Sequence, residues 1–301
     1  MAKKQPVQNI PDFTKDAVNS VDSWFDSNYC ALISWGGWVR LFNITEQRFV
    51  IDLFTHKDSG GVSVAMSSDD RHCFLGTYYS WGLACFDVST GQMVWKRDDL
   101  KRFYGLAFSK AQQCLFGYFD GKSALRIDPK TGETIETFKT VKNISASPFD
   151  DAVLFGDGHR FTLRKSDGEK IWSVPRESFA VLNIAWSPET VAISEVGSER
   201  RDGTKAGIRC FSLHGKLLWR YEGRKHHVSP IMYKPSSHQY VGVDFTAGVS
   251  DAILVHWDEQ TGQIHHEQAM SFNMPVEICR QGQMMFCVNR KSYEFALNPI
   301  S

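Results

Sequence analysis

The 301-residue sequence has no charge of one sign to spare. Lys and Arg number 34, Asp and Glu number 34, and the formal net charge is zero. A dedicated nucleic-acid binder needs a basic surplus to displace counterions from phosphates, so no nucleic-acid partner is expected. Long apolar runs are also missing. None approaches the roughly 20 residues a membrane helix needs, so no membrane partner is expected. The start, Met1–Ile10, is basic with no apolar core behind it, which is not the pattern of a secretory signal. Paired cysteines are absent too. Seven stand at positions 30, 73, 85, 114, 210, 279 and 287, an odd number with no Cys-x-x-Cys, all in apolar strand-like runs. Free Cys behaves there as a small hydrophobe, and the expectation is reduced thiols in a cytoplasmic protein.

Catalytic signatures are equally scarce. There is no Gly-x-Ser-x-Gly elbow and no phosphate-binding glycine loop. His226-His227 and His265-His266 are adjacent pairs, and neighbours on a strand point to opposite faces, so each pair offers one ligand per face. His256 and His266 can share a face of one hairpin, but two imidazoles without a third ligand make a poor zinc site. No metal and no cofactor are expected.

What the sequence has is repetition, and a fixed period outranks any local reading. Asp87-Val88-Ser89-Thr90-Gly91 recurs as Asp128-Pro129-Lys130-Thr131-Gly132 and as Asp258-Glu259-Gln260-Thr261-Gly262. Weaker copies are Lys165-Ser166-Asp167-Gly168, Leu213-His214-Gly215 and Asn43-Ile44-Thr45-Glu46. Each lies between two strand-like runs. Asp and Thr bond nearby backbone groups and Gly accepts positive φ, so these are tight hairpin turns. A second series interleaves with the first. Ser63–Asp70 precedes Cys73–Gly76, Leu106–Ser109 precedes Cys114–Gly117, and Ile144–Pro148 precedes Val153–Gly156. The same pairing holds for Ile184–Pro188 before Val191–Ile193, Ile231–Pro235 before Tyr240–Val243, Val276–Cys279 before Met284–Val288, and Val21–Phe25 before Cys30–Ile33. Several second strands are apolar almost throughout, as suits a strand covered on both faces.

Four strands per repeat in about seven repeats predict an all-β, single β-propeller over residues 1–301, with seven four-stranded blades. Ala84–Trp95 is then the third and fourth strand of one blade. The chain ends after the third strand of the last repeat, Tyr293–Leu297, so an N-terminal strand within 1–13 is expected to close the ring and cover its open edge. His256-Trp257-Asp258-Glu259-Gln260-Thr261-Gly262 and the Ser-Pro turns resemble WD40 repeats. The Gly-x-x-x-Trp spacing of Gly91 to Trp95, Gly168 to Trp172 and Gly215 to Trp219 is similar to the tryptophan-docking repeat of quinoprotein-like propellers. That likeness implies indoles buried between blades. It does not extend to a quinone cofactor, since the adjacent Cys-Cys pair of the quinoprotein dehydrogenases is missing.

Propeller geometry puts the short first-to-second and third-to-fourth turns on one face. The longer second-to-third and blade-to-blade loops lie on the other. The long-loop face is expected to carry the partner-binding residues: Tyr78, Tyr79, Trp81, Arg102, Phe103, Tyr104, Phe119, Phe179, Arg200, Arg201, His226, His227 and Phe272. Aromatic and Arg side chains on rigidly held loops are what protein-binding surfaces use. The expected function is a non-catalytic module, adaptor or inhibitor, that is monomeric on its own and binds a protein partner. The alternative is a propeller hydrolase or lyase using axial carboxylates such as Asp58, Glu177, Asp244 or Glu277 on a small molecule or glycan. The excursion 196–207, of mixed charge and glycine, is expected to protrude.

Overall fold

The repeated turns fold by the chemistry that their sequence implies. Asp87 Oδ1 accepts the Thr90 backbone N–H at 2.8 Å and the Thr90 hydroxyl at 2.9 Å, while Gly91 N–H returns to the Asp87 carbonyl. Bonds from Ser89 and Thr90 hold the Asp87 carboxyl down to about 2. Asp128 and Asp258 repeat the arrangement. Gly91, Gly132, Gly168, Gly215 and Gly262 all have φ between +68° and +85°, the left-handed region that costs an L side chain energy.

The computed structural model describes residues 18–300 apart from 24–26, 35–37, 47, 56–60, 80, 120–122, 178–179, 197–206, 225–226, 246–250, 272–273, 280–283 and 289–294. Its strands form antiparallel meanders in chain order. The first sheet is β1 (Val18–Asp22), β2 (Tyr29–Ser34), β3 (Trp38–Asn43) and β4 (Arg48–Thr55). The second is β5 (Gly61–Met66), β6 (His72–Thr77), β7 (Leu83–Asp87) and β8 (Met93–Arg97). The third is β9 (Phe103–Ser109), β10 (Cys114–Phe119), β11 (Ser123–Ile127) and β12 (Thr134–Lys139). The fourth is β13 (Asn143–Ala146), β14 (Val153–Gly156), β15 (Arg160–Arg164) and β16 (Lys170–Pro175). The fifth is β17 (Ala180–Trp186), β18 (Thr190–Val196), β19 (Gly207–Ser212) and β20 (Leu217–Glu222). The sixth is β21 (Val228–Lys234), β22 (Gln239–Phe245), β23 (Asp251–Asp258) and β24 (Ile264–Ser271). The last sheet has three strands, β25 (Met274–Cys279), β26 (Met284–Val288) and β27 (Phe295–Pro299).

The expectation of seven four-stranded blades is therefore corrected: among the described residues six blades have four strands, and the seventh sheet has three. Among the described residues no strand pairs with the open side of β27. The segment 1–13, expected to supply it, lies outside the described residues. The first strand of each blade lies innermost. β1 lies against β5, β5 against β9, β9 against β13, β17 against β21 and β21 against β25, and β1 also meets β25. The second strands are buried almost throughout, as in β6, β18 and β22, whereas the outermost strands β12 and β20 are mostly exposed. The core is thus a set of layers between blades. Cys30, Cys73, Cys85, Cys114 and Cys210 are buried in it.

Three blade junctions are stitched by the same device. Trp95 donates its indole N–H to the Pro129 carbonyl at 2.8 Å, Trp172 to Leu213 at 3.1 Å and Trp219 to Glu259 at 2.8 Å. Each acceptor lies in the third-to-fourth turn of the following blade. A Cβ on Gly132, Gly215 or Gly262 would come within 2.7 Å of that indole, so the turn glycine is where the ring docks. Trp172 and Trp219 are each 7% exposed, and Trp95 is half-buried. At the junction of the third and fourth blades Glu136 occupies the equivalent place, and nothing lies within 4 Å of a Gly168 Cβ.

Candidate partner-binding face and axial cavity

The loop between β6 and β7 is clamped from below. Thr77, fully buried, bonds Gly82 three times: N–H to carbonyl at 2.9 Å, hydroxyl to carbonyl at 3.0 Å, and Gly82 N–H to the hydroxyl at 2.8 Å. Gly82 has φ +90°, and a Cβ there would sit 2.2 Å from the Arg97 carbonyl, so no other residue closes this loop. The Arg102 N–H reaches the Tyr78 carbonyl at 3.1 Å, tying the loop to the start of β9. Phe103 is 0% exposed, packed where Cβ atoms on Gly76 and Gly117 would otherwise be. Strand alternation then sends Tyr104 outward.

The outcome is a ladder of four tyrosines. Tyr79 meets Tyr78 edge-on at 5.1 Å, Tyr78 meets Tyr104 edge-on at 5.6 Å, and Tyr104 stacks on Tyr118 at 5.9 Å. The Tyr104 and Tyr78 hydroxyls are 3.5 Å apart. Tyr79 is 53% and Tyr104 40% exposed, and Tyr78 and Tyr118 are half-buried. Tyr118 lies over Gly105, its partner across the strands, where a Cβ would be 2.3 Å from the ring. Burial pushes the Tyr118 phenol up to about 12, with the Tyr104 phenol adding to the rise and the Arg176 guanidinium opposing it.

The other expected site residues are placed as follows. Trp81 turns back over its own blade, stacked on Phe86 at 6.2 Å with Lys96 Nζ 4.2 Å from its ring. Phe119 is half-buried and packs against Phe103 at 6.0 Å. Phe103, expected in the contact surface, is a support for it. His227 packs on Phe245 at 4.5 Å, three blades away from the tyrosines. Phe179, Arg200, Arg201, His226 and Phe272 lie outside the described residues. Tyr118 escaped the sequence reading, although Gly105 on the neighbouring strand is the signal that a large ring could lie across it.

A cavity of about 340 Å³ runs among the innermost strands of the six four-stranded blades. Of the candidate axial carboxylates, Glu177 and Asp244 do not line it. Glu177 pairs instead with Arg209 at 3.1 Å and with Arg220. Asp244, fully buried, accepts the Tyr221 hydroxyl at 2.6 Å, and burial followed by that bond pushes the Tyr221 phenol up. Asp58 and the Glu277 side chain lie outside the described residues. The carboxylate that does line the cavity is Asp22, whose Oδ2 accepts the Met66 N–H at 3.0 Å. Ser63 and Asn183 take the same kind of bond, from Leu106 N–H at 2.9 Å and Ile231 N–H at 3.0 Å, so side chains of one blade hold the inner strand of the next.

Burial pushes the Asp22 carboxyl up from 3.8 to about 7, against the opposing backbone bonds from Met66 and Ser23. Between these values the folded protein holds a proton that the unfolded chain has lost. Stability therefore falls as pH rises from about 4 to about 7. Asp22→Asn, which keeps the acceptor for Met66, should raise the thermal midpoint at pH 8 and leave it unchanged at pH 3.5. An equal shift at both pH values would show that ionisation is not the cause.

His256 and His266 face each other across β23 and β24, rings 5.5 Å apart, and burial lowers His256 to about 4. Among the described residues no three His, Cys, Asp or Glu side chains are grouped to hold a metal ion. Nor is any helix among them long and apolar enough to cross a membrane.

No protein-family model matches the chain, and no curated protein matches it in sequence. Solved structures do match in fold. The Cps50 (Swd1) β-propeller domain of Myceliophteria thermophila aligns with a TM-score of 0.74 at 10% identity, over 97% of this chain and 100% of that one. Kuenenia stuttgartiensis hydrazine synthase aligns with a TM-score of 0.76 at 10% identity, over 99% of each chain. At that identity the likeness is one of fold: the chain is a β-propeller similar to these two.

Proposed function

We propose that this propeller is a protein-interaction module that docks its partner on the long-loop face, centred on Tyr78, Tyr79 and Tyr104. The observation that supports it is the tyrosine ladder, with two rings well exposed and all held by buried scaffolding. Tyrosines present a large, rigid, amphipathic surface at low cost in side-chain entropy. The exposed Arg102 lies two residues before Tyr104, and the balanced charge suits a protein partner over a polyanion. In this reading the protein works as a monomer in the cytoplasm, in keeping with its buried thiols.

The test begins with capture of partners from the native source, followed by measured affinities for purified pairs. Tyr104→Ala and Tyr78→Ala should each weaken binding by about 2 kcal/mol, roughly 30-fold, with unchanged circular dichroism. Undiminished affinity in both variants would overturn the reading, as would a partner docked on the short-turn face. A hydrolase or lyase in the axial cavity needs converging carboxylates. Among the described residues the cavity wall offers one, Asp22.

A further inference from the structure

The net charge is zero, but the charge is unevenly placed around the tyrosines. Four cations stand on the long-loop side of the third and fourth blades: Lys101 before β9, Lys139 at the end of β12, Lys142 before β13 and Arg160 at the start of β15. All four are exposed, and among the described residues none of them pairs with a carboxylate. The carboxylates on that side are already engaged. Asp98 pairs with Lys96 at 2.6 Å and Asp99 with Arg97 at 2.7 Å. Asp157 Oδ1 accepts the His159 and Arg160 backbone N–H groups at 2.5 and 2.7 Å, inside its own turn. Asp120 and Lys122, outside the described residues, cancel in the sequence. Contacts join this basic arc to the tyrosine ladder. Tyr118, stacked on Tyr104, feels the Arg176 guanidinium. Arg176 Nη1 donates to the Asp157 carbonyl at 3.0 Å and to Asn143 Oδ1 at 3.5 Å, and Asn143 follows Lys142 in the chain.

The opposite face of the same blades has the opposite sign. In its turns, 67–72, 87–92, 110–113, 128–133, 147–151 and 165–170, carboxylates outnumber Lys and Arg. Hydrogen bonds from Ser89 and Ser166 hold the Asp87 and Asp151 carboxyls low, so both stay ionised. These three blades are therefore polarised along the axis, positive on the tyrosine side and negative on the short-turn side.

We infer that the protein partner docks through an acidic segment. Its carboxylates meet Lys101, Lys139, Lys142 and Arg160, and an aromatic or aliphatic side chain among them rests on Tyr79 and Tyr104. The inference rests on the tyrosine patch being the docking face. Opposite charge speeds the encounter and fixes its orientation, while like charge turns the segment away from the short-turn face. The rings at the centre then hold the bound state. A single-stranded nucleic acid also seeks cations beside aromatic rings, but it needs open ring faces for its bases. Here Tyr78 packs edge-on against both Tyr79 and Tyr104, and Tyr104 spends one face on Tyr118. That arrangement suits side chains of a protein better than stacked bases.

The experiment is fluorescence anisotropy on the whole protein with labelled probes of about 12 units each. They are a peptide alternating Glu and Asp with Phe and Leu, the same peptide with Lys in place of every acid, and a uridine oligonucleotide. The acidic peptide should saturate below about 1 mM at about 20 mM salt, and weaken about tenfold by about 200 mM. The Lys139→Glu, Lys142→Glu double variant should weaken it at least fivefold, roughly, at the lower salt. Lys110→Glu, Lys130→Glu makes the same change of net charge on the short-turn face of the third blade, and should change affinity less than about twofold. Neither pair of side chains makes a bond in the fold, so circular dichroism should be unchanged in both. The inference is overturned if the acidic peptide does not saturate, if the lysine peptide binds as well, if both double variants weaken binding equally, or if the oligonucleotide binds more tightly than the peptide. Tyr104→Ala separates it from the reading beneath it. Binding that needs Tyr104 but not the lysines keeps the tyrosine face and removes the acidic segment. Binding that needs the lysines but not Tyr104 keeps the acidic segment and removes the tyrosine centre.

Discussion

Trp219→Ala should lower the unfolding free energy by about 3–5 kcal/mol, the range for emptying a buried aromatic site. The indole is 7% exposed and packs edge-on against Tyr240 at 6.2 Å. Its N–H binds the Glu259 carbonyl, and the Glu259 carboxylate in turn accepts the Ser187 and Tyr233 hydroxyls. Removing the ring therefore opens a void against a turn that carries a buried carboxylate. Trp219→Phe keeps most of the packing and loses the hydrogen bond, so it should cost less. Gly262→Ala attacks the same contact from the other side, because its Cβ would lie 2.6 Å from the indole. If docking is the cause, the double variant Trp219→Ala, Gly262→Ala should cost clearly less than the sum of the two. Urea unfolding of the four proteins decides it. A loss below about 1 kcal/mol for Trp219→Ala, or strict additivity, would remove the docking account.

That contact was legible because it is local in sequence on both sides. Asp, Thr and Gly fold the turn by bonds within five residues, and Trp follows the glycine of its own turn by four. The next blade repeats the pattern, so the indole of one finds the glycine of the other. Blade count was less legible, because the repeat pattern does not say what pairs beside β27, and among the described residues the last sheet has three strands. The cavity wall was hidden for a different reason. Val21–Phe25 reads as an apolar strand interrupted by Asp22 and Ser23. β1 instead spans Val18–Asp22, and it takes the inner strands of the other blades to complete the cavity that these two residues line. Glu177 and Asp244 looked free because their partners, Arg209, Arg220 and Tyr221, come from strands distant in sequence. Tyr118 was overshadowed by Phe119. The irregular register between them leaves Phe119 packed on Phe103 and Tyr118 in the ladder.

Arg209→Met should be as costly as losing the indole, for an electrostatic reason. Arg209 grips Glu195 with two bonds, Nε to Oε2 at 2.5 Å and Nη2 to Oε1 at 3.0 Å, and both side chains are under 10% exposed. The guanidinium also donates to the Pro175 carbonyl at 3.1 Å and lies over the Phe211 and Phe161 rings. Met fills much of the volume but takes away both guanidinium bonds from the buried Glu195 carboxylate, its closest charge partner. Breaking one half of such a pair costs about 3–5 kcal/mol. Glu195 and Arg209 stand at the strand ends that flank residues 197–206, where Gly207 pairs with Glu195 across the sheet. The pair thus ties the end of β18 to the start of β19. Adding Glu195→Gln to Arg209→Met removes the stranded charge and should restore most of the loss. Because the pair is screened little by solvent, the deficit of the single variant should persist at 1 M salt. A deficit that vanishes in salt, or a double variant no more stable than the single one, would show that packing around the guanidinium is what matters and that the charge pair is incidental.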